Sequence, residues 1–347
     1  MRLPVFITAT LAAVLPSFAT EFLRRESHPI LERFHNWAYE FRIEFETESH
    51  FYETFAKWAD NDEFIAIVNK ENRGYTLAHN QFSGMDQEDW SRFLENQVDY
   101  YDNFELSEPQ ENVLNTTALP ASIDWTTLGA VTPVKDQGQC GSCWTFSTTG
   151  ALEGAFFIKY NKLVSFSEEQ LVDCDNLKNG GKDHGCNGGL MDNAFSWINK
   201  NGGLCTEDSY PYVSGNGPTG QACQKTCTLV SGSKIQKYID VQNNNDNAMM
   251  SALVVGPVSV AIEADQREFQ LYKSGVFTAP CGTSLDHGVL VVGYGTDQSS
   301  GLDFYKVKNS WGTSWGEKGY IRLGRGPQYN NGEGECGVLM EASYPVL

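Results

Sequence analysis

The cysteines are the residues of this chain most able to do chemistry, because a thiolate is both a nucleophile and a metal ligand. All nine lie after residue 118, at positions 140, 143, 174, 186, 205, 223, 227, 281 and 336. Since nine is odd, four disulfide bonds would leave one thiol free, and eight paired cysteines allow about 105 connectivities. The sequence therefore predicts one unpaired cysteine but does not choose among the bonds.

Cys140 and Cys143 form a CxxC pair, which in a cytosolic protein would indicate redox chemistry or half of a zinc site. The other cysteines supply no second CxxC, and only His184 and His287 follow residue 120. A reactive thiol needs a base within reach. His287 is the better candidate, because it opens an apolar run that can hold it rigidly, whereas His184 lies in a glycine-rich loop. The pattern favours a thiol and histidine pair over a metal site.

Four motifs follow one another in this region. They are QGQCGSCWTFS at 137–147, GCNGGLMDNAF at 185–195, DHGVLVVGYG at 286–295 and KNSWGTSWGEKGY at 308–320. Together they closely resemble the papain family of cysteine proteases, in its cathepsin L-like branch, and the resemblance extends over 119–347. His287 follows Cys143 by 144 residues and Asn309 follows by 166. The family interval is about 130 to 150, so a loop insertion would explain the second value.

The resemblance implies a role for each residue of the catalytic site. Cys143 is the nucleophile, at the start of a helix whose dipole favours a thiolate, and His287 is its ion-pair partner. Asn309 accepts the other imidazole N–H, and Trp311 shields that bond from water. Gln137 and the Cys143 N–H donate to the oxyanion that develops on the substrate carbonyl.

The same resemblance implies a substrate cleft, with Trp311 among its residues. Gly188 and Gly189 leave room for a peptide backbone. The residues that line the S2 pocket are Leu190, Met191, Ala261 and Leu285. Glu341 lies at the bottom of that pocket, where some members, such as the trypanosomal cathepsin L-like enzymes, carry glutamate and accept arginine as well as bulky apolar residues. Without the family, the apolar residues would be assigned to the core, and Glu341 could instead face solvent.

The disulfide bonds are also implied by the resemblance. They join Cys140 to Cys186, Cys174 to Cys223 and Cys281 to Cys336, with Cys205 to Cys227 added as a fourth. Cys143 then remains as the free thiol, and no metal or cofactor is expected.

Residues 1–19 have the composition of a signal peptide. Arg2 precedes an apolar run that ends at Leu15, and Ser17 and Ala19 supply the small residues of a cleavage site. A membrane anchor is the competing interpretation, but the run is shorter than the roughly 20 apolar residues that a bilayer requires. The segment therefore predicts entry into the secretory pathway, with lysosome, vacuole and extracellular space all open as destinations.

Charge divides the remaining chain. Residues 20–118 carry 8 basic and 21 acidic side chains, whereas 119–347 carry 16 basic and 23 acidic side chains.

Aromatic residues recur among charges from 31 to 72 without glycine or proline, which predicts two helices. Residues 106–120 are typical of an exposed linker, and Asn115 begins a glycosylation sequon. We expect a helical inhibitory propeptide at 20–118, cleaved near Ala118 or Leu119, and a papain-like peptidase domain at 119–347.

The propeptide matches the prosegment motifs of cathepsin L-like precursors in part. The matching residues are Asn61, Ile65, Asn69, Asn80 and Phe82. His50, Thr54 and Trp58 stand where Glu, Arg and Phe are usual, and Gly84 replaces an acid. The resemblance implies a prosegment, with its inhibitory strength left open.

Helical spacing follows Cys143, and β-rich runs occupy 252–263, 288–294 and 303–308. The resemblance implies an α+β class, as a papain-like two-domain fold with a helical left domain and a β-barrel-like right domain.

The resemblance also implies a monomer whose partners are polypeptide substrates, the chain's own propeptide and cystatin-type inhibitors. The net charge of −19 disfavours nucleic acid or an anionic membrane as a partner.

Two other functions compete with an endopeptidase. A catalytically silent binding or storage protein would have no need to keep Cys143, His287, Asn309 and Gln137 together. An exopeptidase of the same fold would normally need a loop that blocks the cleft, and residues 187–227 contain no histidine pair and no long insertion. Both stay as alternatives that an experiment must separate.

Overall fold

The computed structural model describes residues 17–95, 119–216 and 221–347. The predicted signal peptide up to residue 16, the Asn115 sequon and the cleavage point at Ala118 lie outside the described residues. Within the described ranges no helix is long and apolar enough to cross a membrane.

Two helices occupy the region in which the sequence predicts two, namely α1 (Ser17–Glu40) and α2 (Glu48–Lys70). The hydroxyl of Thr47 caps α2 by accepting a backbone N–H from its first turn. The helices pack through an aromatic cluster that buries Phe34 and Trp58 almost completely. The two-helix prediction is confirmed.

The rest of the N-terminal region joins the peptidase region directly. Strand β1 (Tyr75–Leu77) pairs antiparallel with residues 272–275. Helix α3 (Gln87–Glu95) follows, and its Trp90 is buried in the same cluster as Phe269 and Trp311. The prosegment therefore shares a hydrophobic core with the peptidase region.

The helices of residues 119–347 are α4 (Cys143–Tyr160), α5 (Glu168–Cys174), α6 (Met191–Asn201), α7 (Asp246–Val255) and α8 (Arg267–Gln270). The strands are β2 (Ile123–Asp124), β3 (Lys237–Asp240), β4 (Val258–Ile262), β5 (Tyr272–Phe277), β6 (His287–Thr296), β7 (Asp303–Lys308), β8 (Tyr320–Gly324) and β9 (Ala342–Val346). The predicted helix after Cys143 is thus confirmed.

The strands form a sheet in the order β1-β5-β8-β7-β6-β4-β9-β3, and β2 pairs with β6. The β5–β8 pair is parallel, and its neighbours are antiparallel. Instead of the expected barrel-like closure, the strand path stays open among the described residues. The β-rich runs at 288–294 and 303–308 are confirmed in β6 and β7. The run at 252–263 is wrong in its first residues, because 252–255 complete α7.

Two hydrophobic cores lie on either side of the junction between helices and sheet. One is built from α4, α5 and α6 and includes Trp144 and Phe195. The other is built largely from the strands and includes Val291 and Trp315. β6 is buried over nearly its whole length, which explains why its sequence is a continuous apolar run. The α+β class is confirmed.

Four disulfide bonds join the pairs that the resemblance implied. They are Cys140–Cys186, Cys174–Cys223, Cys205–Cys227 and Cys281–Cys336. Cys143 is the free cysteine of the described residues, and it is buried.

Candidate active site

Cys143 is the first residue of α4, and His287 is the first residue of β6. A close approach between the two elements brings them together. The Gly288 N–H lies 3.4 Å from the Cys143 Sγ. A Cβ at Gly288 would lie 3.2 Å from the backbone of Trp144, so a side chain there would press against the start of α4. The glycine after the histidine therefore lets the start of β6 approach the thiol closely.

Neighbouring groups fix the His287 ring in one orientation. Its Nε2 lies 2.8 Å from the Oδ1 of Asn309. The ring stacks on Trp311 with centroids 4.5 Å apart and planes at 20°. An amide oxygen can only accept, so Nε2 carries the hydrogen. Nδ1 is buried and has no hydrogen-bond partner in the described part of the chain, which leaves it as the nitrogen that can take a thiol proton.

Burial in the precursor opposes the ion pair that the resemblance implies. It raises the pKa of Cys143 to about 12, and it lowers the pKa of His287 to about 4. Desolvation is the largest cause in both cases, because it penalises the charged form of each group. The precursor therefore holds a neutral thiol beside a neutral imidazole.

Gln137 is completely buried in the loop before α4. Its Oε1 accepts the Ser310 hydroxyl at 2.6 Å, and its Nε2 donates to the Cys140 carbonyl at 3.0 Å. Ser310 adjoins Asn309, so one turn orients both amide side chains. Ser310 carries no catalytic signal of its own in the sequence, although it lies within the KNSWG motif that carries the resemblance.

The predicted cleft residues are buried or pack against the helical core. Met191 and Ala261 are buried in the helical core, and Leu285 packs against it, as the core interpretation of these residues would also require. Leu190 is buried and precedes α6. A Cβ at Gly189 would lie 2.6 Å from the Trp144 ring, so this position admits glycine alone without a shift.

Glu341 lies beside the predicted S2 wall, because its carbonyl accepts the Ala261 N–H at 3.0 Å. The residue is neither fully buried nor exposed. Burial raises the pKa of its carboxyl to about 8, with further increases from Asp192 and Asp240. The Oδ1 of Asp192 accepts the Ser343 hydroxyl at 2.5 Å. These two aspartates were not singled out in the sequence, because a single acid in a first helical turn or a strand carries no specific signal.

The prosegment covers the outer side of Trp311. Phe82 and Trp90 meet the indole edge-on at centroid distances of 5.5 and 5.1 Å. The Gln81 side chain donates to the Trp311 carbonyl at 2.6 Å, and the Trp90 indole donates to the Ala264 carbonyl at 3.0 Å. The residue that stacks on His287 is therefore itself held beneath the prosegment.

Comparison with known proteins places this arrangement in one family. Residues 119–346 match the family described as papain family cysteine protease. The chain is 44% identical over 296 residues to the senescence-specific cysteine protease SAG39 of Oryza sativa subsp. indica, covering 84% of this chain and 83% of the relative. It is 47% identical over 297 residues to vignain of Ricinus communis, covering 84% and 79%.

Solved precursors have the same fold. The proform of the ragweed pollen allergen Amb a 11, a cysteine protease, matches with a TM-score of 0.81 at 37% identity, covering 92% of this chain and 94% of that chain. Digestive procathepsin L 3 of Tenebrio molitor larval midgut matches with a TM-score of 0.79 at 36% identity, covering 92% and 99%. Because both matches cover most of the chain, they include the prosegment as well as the peptidase region.

Proposed function

Because the chain belongs to the papain family of cysteine proteases, we propose that it is an endopeptidase precursor whose Cys143 and His287 form a thiolate and imidazolium pair once the prosegment leaves. The observation that carries this proposal is the placement of a free thiol at the start of α4, 3.4 Å from the backbone N–H that follows His287, whose imidazole is held by Asn309 and Trp311. The helix dipole favours a negative charge at that end. Water entering the open cleft removes the desolvation that keeps both groups neutral.

The reaction then uses each group in turn. The Cys143 thiolate attacks the peptide carbonyl carbon, and the Cys143 N–H and the Gln137 amide stabilise the oxyanion. The His287 imidazolium gives its Nδ1 proton to the departing amine, leaving a thioester on Cys143. His287 next removes a proton from water, which attacks the thioester and releases the acid. Asn309 keeps the ring oriented throughout.

The prosegment is proposed to inhibit by lying across the cleft in a non-productive direction. Support comes from its docked part, where β1 extends the sheet through residues 272–275 and Gln81 bonds to Trp311. The segment that would cross the cleft, residues 96–118, lies outside the described residues. We place the domain boundaries at 19/20 and 118/119, and the mature enzyme is expected to arise at acid pH.

Substrate choice is proposed to depend on the S2 pocket of Leu190, Met191, Ala261 and Leu285. This pocket takes bulky apolar residues, and an ionised Glu341 admits arginine. Polypeptides are the substrates, cystatin-type inhibitors are expected partners, and the enzyme is expected to be a monomer. The route is secretory, towards a lysosome, vacuole or the outside of the cell.

One experiment tests the central proposal. Purified precursor is incubated from pH 4 to 7, and the new N-terminus, peptidase activity and labelling by a peptidyl epoxide are read together. We expect activity and labelling to appear with cleavage near residue 118, and Cys143→Ser to abolish both. Maturation without labelling would favour a binding protein, and failure to cut N-terminally blocked peptides would favour an exopeptidase.

A further inference from the structure

Two aspartates outside the catalytic site lie beneath the predicted substrate-binding segment. Asp175 directly follows α5, and Asp183 lies in the loop that leads to Cys186. Both are buried, with 0% and 1% of their surface exposed. Carboxyl groups are rarely buried to this degree unless they are paired, so their contacts require an explanation.

Asp183 supports the segment from below. Its Oδ1 accepts the Leu190 N–H at 3.0 Å and the Asn193 amide at 3.0 Å. A Cβ at Gly189 would lie 2.8 Å from the Asp183 carboxyl carbon, so this carboxyl touches the backbone that the substrate would face on its other side. The Gly188 carbonyl also accepts the His184 N–H at 2.9 Å. Residues 188–190 are thus fixed by the loop that carries Asp183.

Asp175 meets Asp183 through the remaining oxygens. The Oδ1 of Asp175 accepts the Lys182 N–H at 3.2 Å, and the carboxyl groups of Asp175 and Asp183 lie within hydrogen-bonding reach of each other. The Oδ2 atom of each is buried, and no donor among the described residues hydrogen-bonds to it. Two carboxylates are acceptors only, so a bond between them requires one proton. A carboxylic acid that donates to a carboxylate satisfies both of these buried oxygens.

We propose that Asp175 and Asp183, as an aspartate pair, share one proton, and that this proton keeps residues 188–190 in position to bind the substrate backbone. The pair acts through the segment and does not touch the reacting atoms, so both are positioning residues. This inference rests on the proposed peptidase function. It adds a pH limit to substrate binding that is separate from the titration of Cys143 and His287.

The groups around the two aspartates decide whether substrate binding weakens as pH rises or as it falls. Burial, the largest cause, raises the pKa of both carboxyls. The charge of Asp183 raises the pKa of Asp175 further, whereas the hydrogen bond with Asp175 lowers the pKa of Asp183, so Asp175 is the partner that holds the proton. Lys200 and His184 oppose the rise weakly, whereas Asp192 lies near enough for Asp183 to raise its pKa. The pair therefore keeps its proton through acid pH and loses it as pH rises. Two adjacent buried negative charges then repel, and the contact beneath Leu190 loosens.

The same difference in pKa between folded and unfolded chains makes the folded chain less stable as pH rises. An unfolded aspartate loses its proton near pH 4, whereas the folded pair holds it to higher pH. The folded chain therefore binds more protons over this window, and the pair's contribution to the free energy of unfolding declines as pH rises through it. Replacing one partner by asparagine supplies a permanent N–H donor and removes the titration.

The test compares Asp183→Asn and Asp175→Asn with the unaltered chain. As a matched control, Asp173→Asn removes another buried carboxyl of raised pKa in α5, one that accepts the Tyr210 hydroxyl at 2.7 Å and does not face residues 188–190. Unfolding temperatures of the full-length chains are measured from pH 4 to 9. After acid activation, kcat and KM for a blocked peptide and the rate of alkylation by iodoacetamide, which needs no backbone pairing, are measured over the same range.

We expect kcat/KM of the unaltered enzyme to fall with pH mainly through KM, approaching about tenfold per pH unit above the pair's pKa, while alkylation does not fall. Asp183→Asn and Asp175→Asn should delay this fall, and Asp173→Asn should not. Because all three carboxyls have a raised pKa, each substitution should flatten the decline in unfolding temperature, so kcat/KM is the measurement that separates the pair from the control. Identical pH profiles for all four chains would overturn the proposal. A chelator that lowers the unfolding temperature of the unaltered chain would overturn it as well, in favour of a bound cation. Loss of alkylation by the unaltered enzyme would instead count against the proposed function.

Discussion

The Oδ1 of Asn309 lies 2.8 Å from the Nε2 of His287 and 2.7 Å from the Ser310 N–H. The amide oxygen is thus held by the backbone N–H of the next residue as well as by the ring. Since the ring also stacks on Trp311, the imidazole is fixed by one hydrogen bond and one aromatic contact.

Removing the Asn309 side chain should therefore slow catalysis without abolishing it. We expect Asn309→Ala to lower kcat by about 10²-fold, the lower end of what general acid–base catalysis contributes, with little change in KM. The ring can then rotate, and its proton is misplaced for the leaving amine. Steady-state kinetics with a blocked peptide test this, and Asn309→Asp, which keeps an acceptor oxygen, should retain more activity. Equal losses in both variants would contradict an orienting role.

Acid release of the prosegment is expected to depend on His79. The ring lies flat on Trp58, with centroids 4.3 Å apart and planes at 12°. Its Nε2 lies 3.2 Å from Asp62, and its Nδ1 is buried without a partner in the described residues. Burial lowers the pKa of His79 more than Asp62 raises it. The neutral ring stabilises the docked prosegment above pH ~6.5, and this contribution is lost as pH falls through the lowered folded pKa.

His79→Gln should therefore shift maturation to more acid pH and slow it. The amide can still donate to Asp62 but cannot become charged. The measurement is the pH at which half of the precursor is processed in a fixed time, with exposed His35→Gln as the control. The sensor role is wrong if the two variants mature alike.

The prosegment carboxylate Asp86 titrates at lower pH than His79 begins to. Asp86 binds Lys57 at 3.1 Å and has a lowered pKa, despite an opposing effect of desolvation. Its contribution is present above pH ~3.9 and is lost as pH falls through the lowered value. It therefore persists as pH falls below ~6.5, where the contribution of His79 begins to decline.

Short motifs supply the predicted catalytic residues, since each contains its candidate reacting group together with a glycine or tryptophan that lies close to it. The sequence failed where distant segments meet. The sequence predicts a strand from residue 252, because the apolar end of α7 runs into β4, although Asn245 caps α7 by accepting the Ala248 N–H at 3.0 Å. Neither the open sheet path nor the contact of Asp175 with Asp183 follows from local spacing.

Two prosegment departures from the family motif compensate each other. A Cβ at Gly84, where an acid is usual, would lie 2.7 Å from the Cγ2 of Thr54, where Arg is usual, and 3.0 Å from the Trp37 ring. Thr54 is buried and donates to the His50 carbonyl at 2.7 Å. A threonine and a glycine thus fill the space that two larger side chains would need.

Gly84→Ala should therefore overpack this contact and lower the free energy of unfolding of the precursor by about 1 to 3 kcal/mol. Thr54→Ser removes the crowding methyl and keeps the hydroxyl, so Gly84→Ala in that background should cost less. Thermal unfolding of the four full-length chains measures the coupling between the two positions. If the two substitutions change the free energy of unfolding additively, the contact between residues 84 and 54 does not limit packing.

The last prediction concerns the choice between arginine and phenylalanine at P2, the second residue before the cleaved bond. Burial and the nearby Asp192 and Asp240 raise the pKa of Glu341 to about 8, so the carboxyl is mostly neutral in an acid compartment. A neutral carboxyl suits phenylalanine, whereas an ionised one pairs with a guanidinium. The ratio of kcat/KM for blocked Arg-Arg over Phe-Arg substrates should therefore rise from pH 5 to 8 and still be rising near pH 8. An arginine in the pocket also lowers the glutamate pKa, which moves the rise to lower pH in the complex than in the free enzyme.

Glu341→Ala should lower the ratio and make it independent of pH, while Glu341→Gln should keep the pocket volume and give the same flat profile. A ratio that keeps its pH dependence in both variants would assign specificity to another group, and Asp192→Asn would then be the next variant to measure.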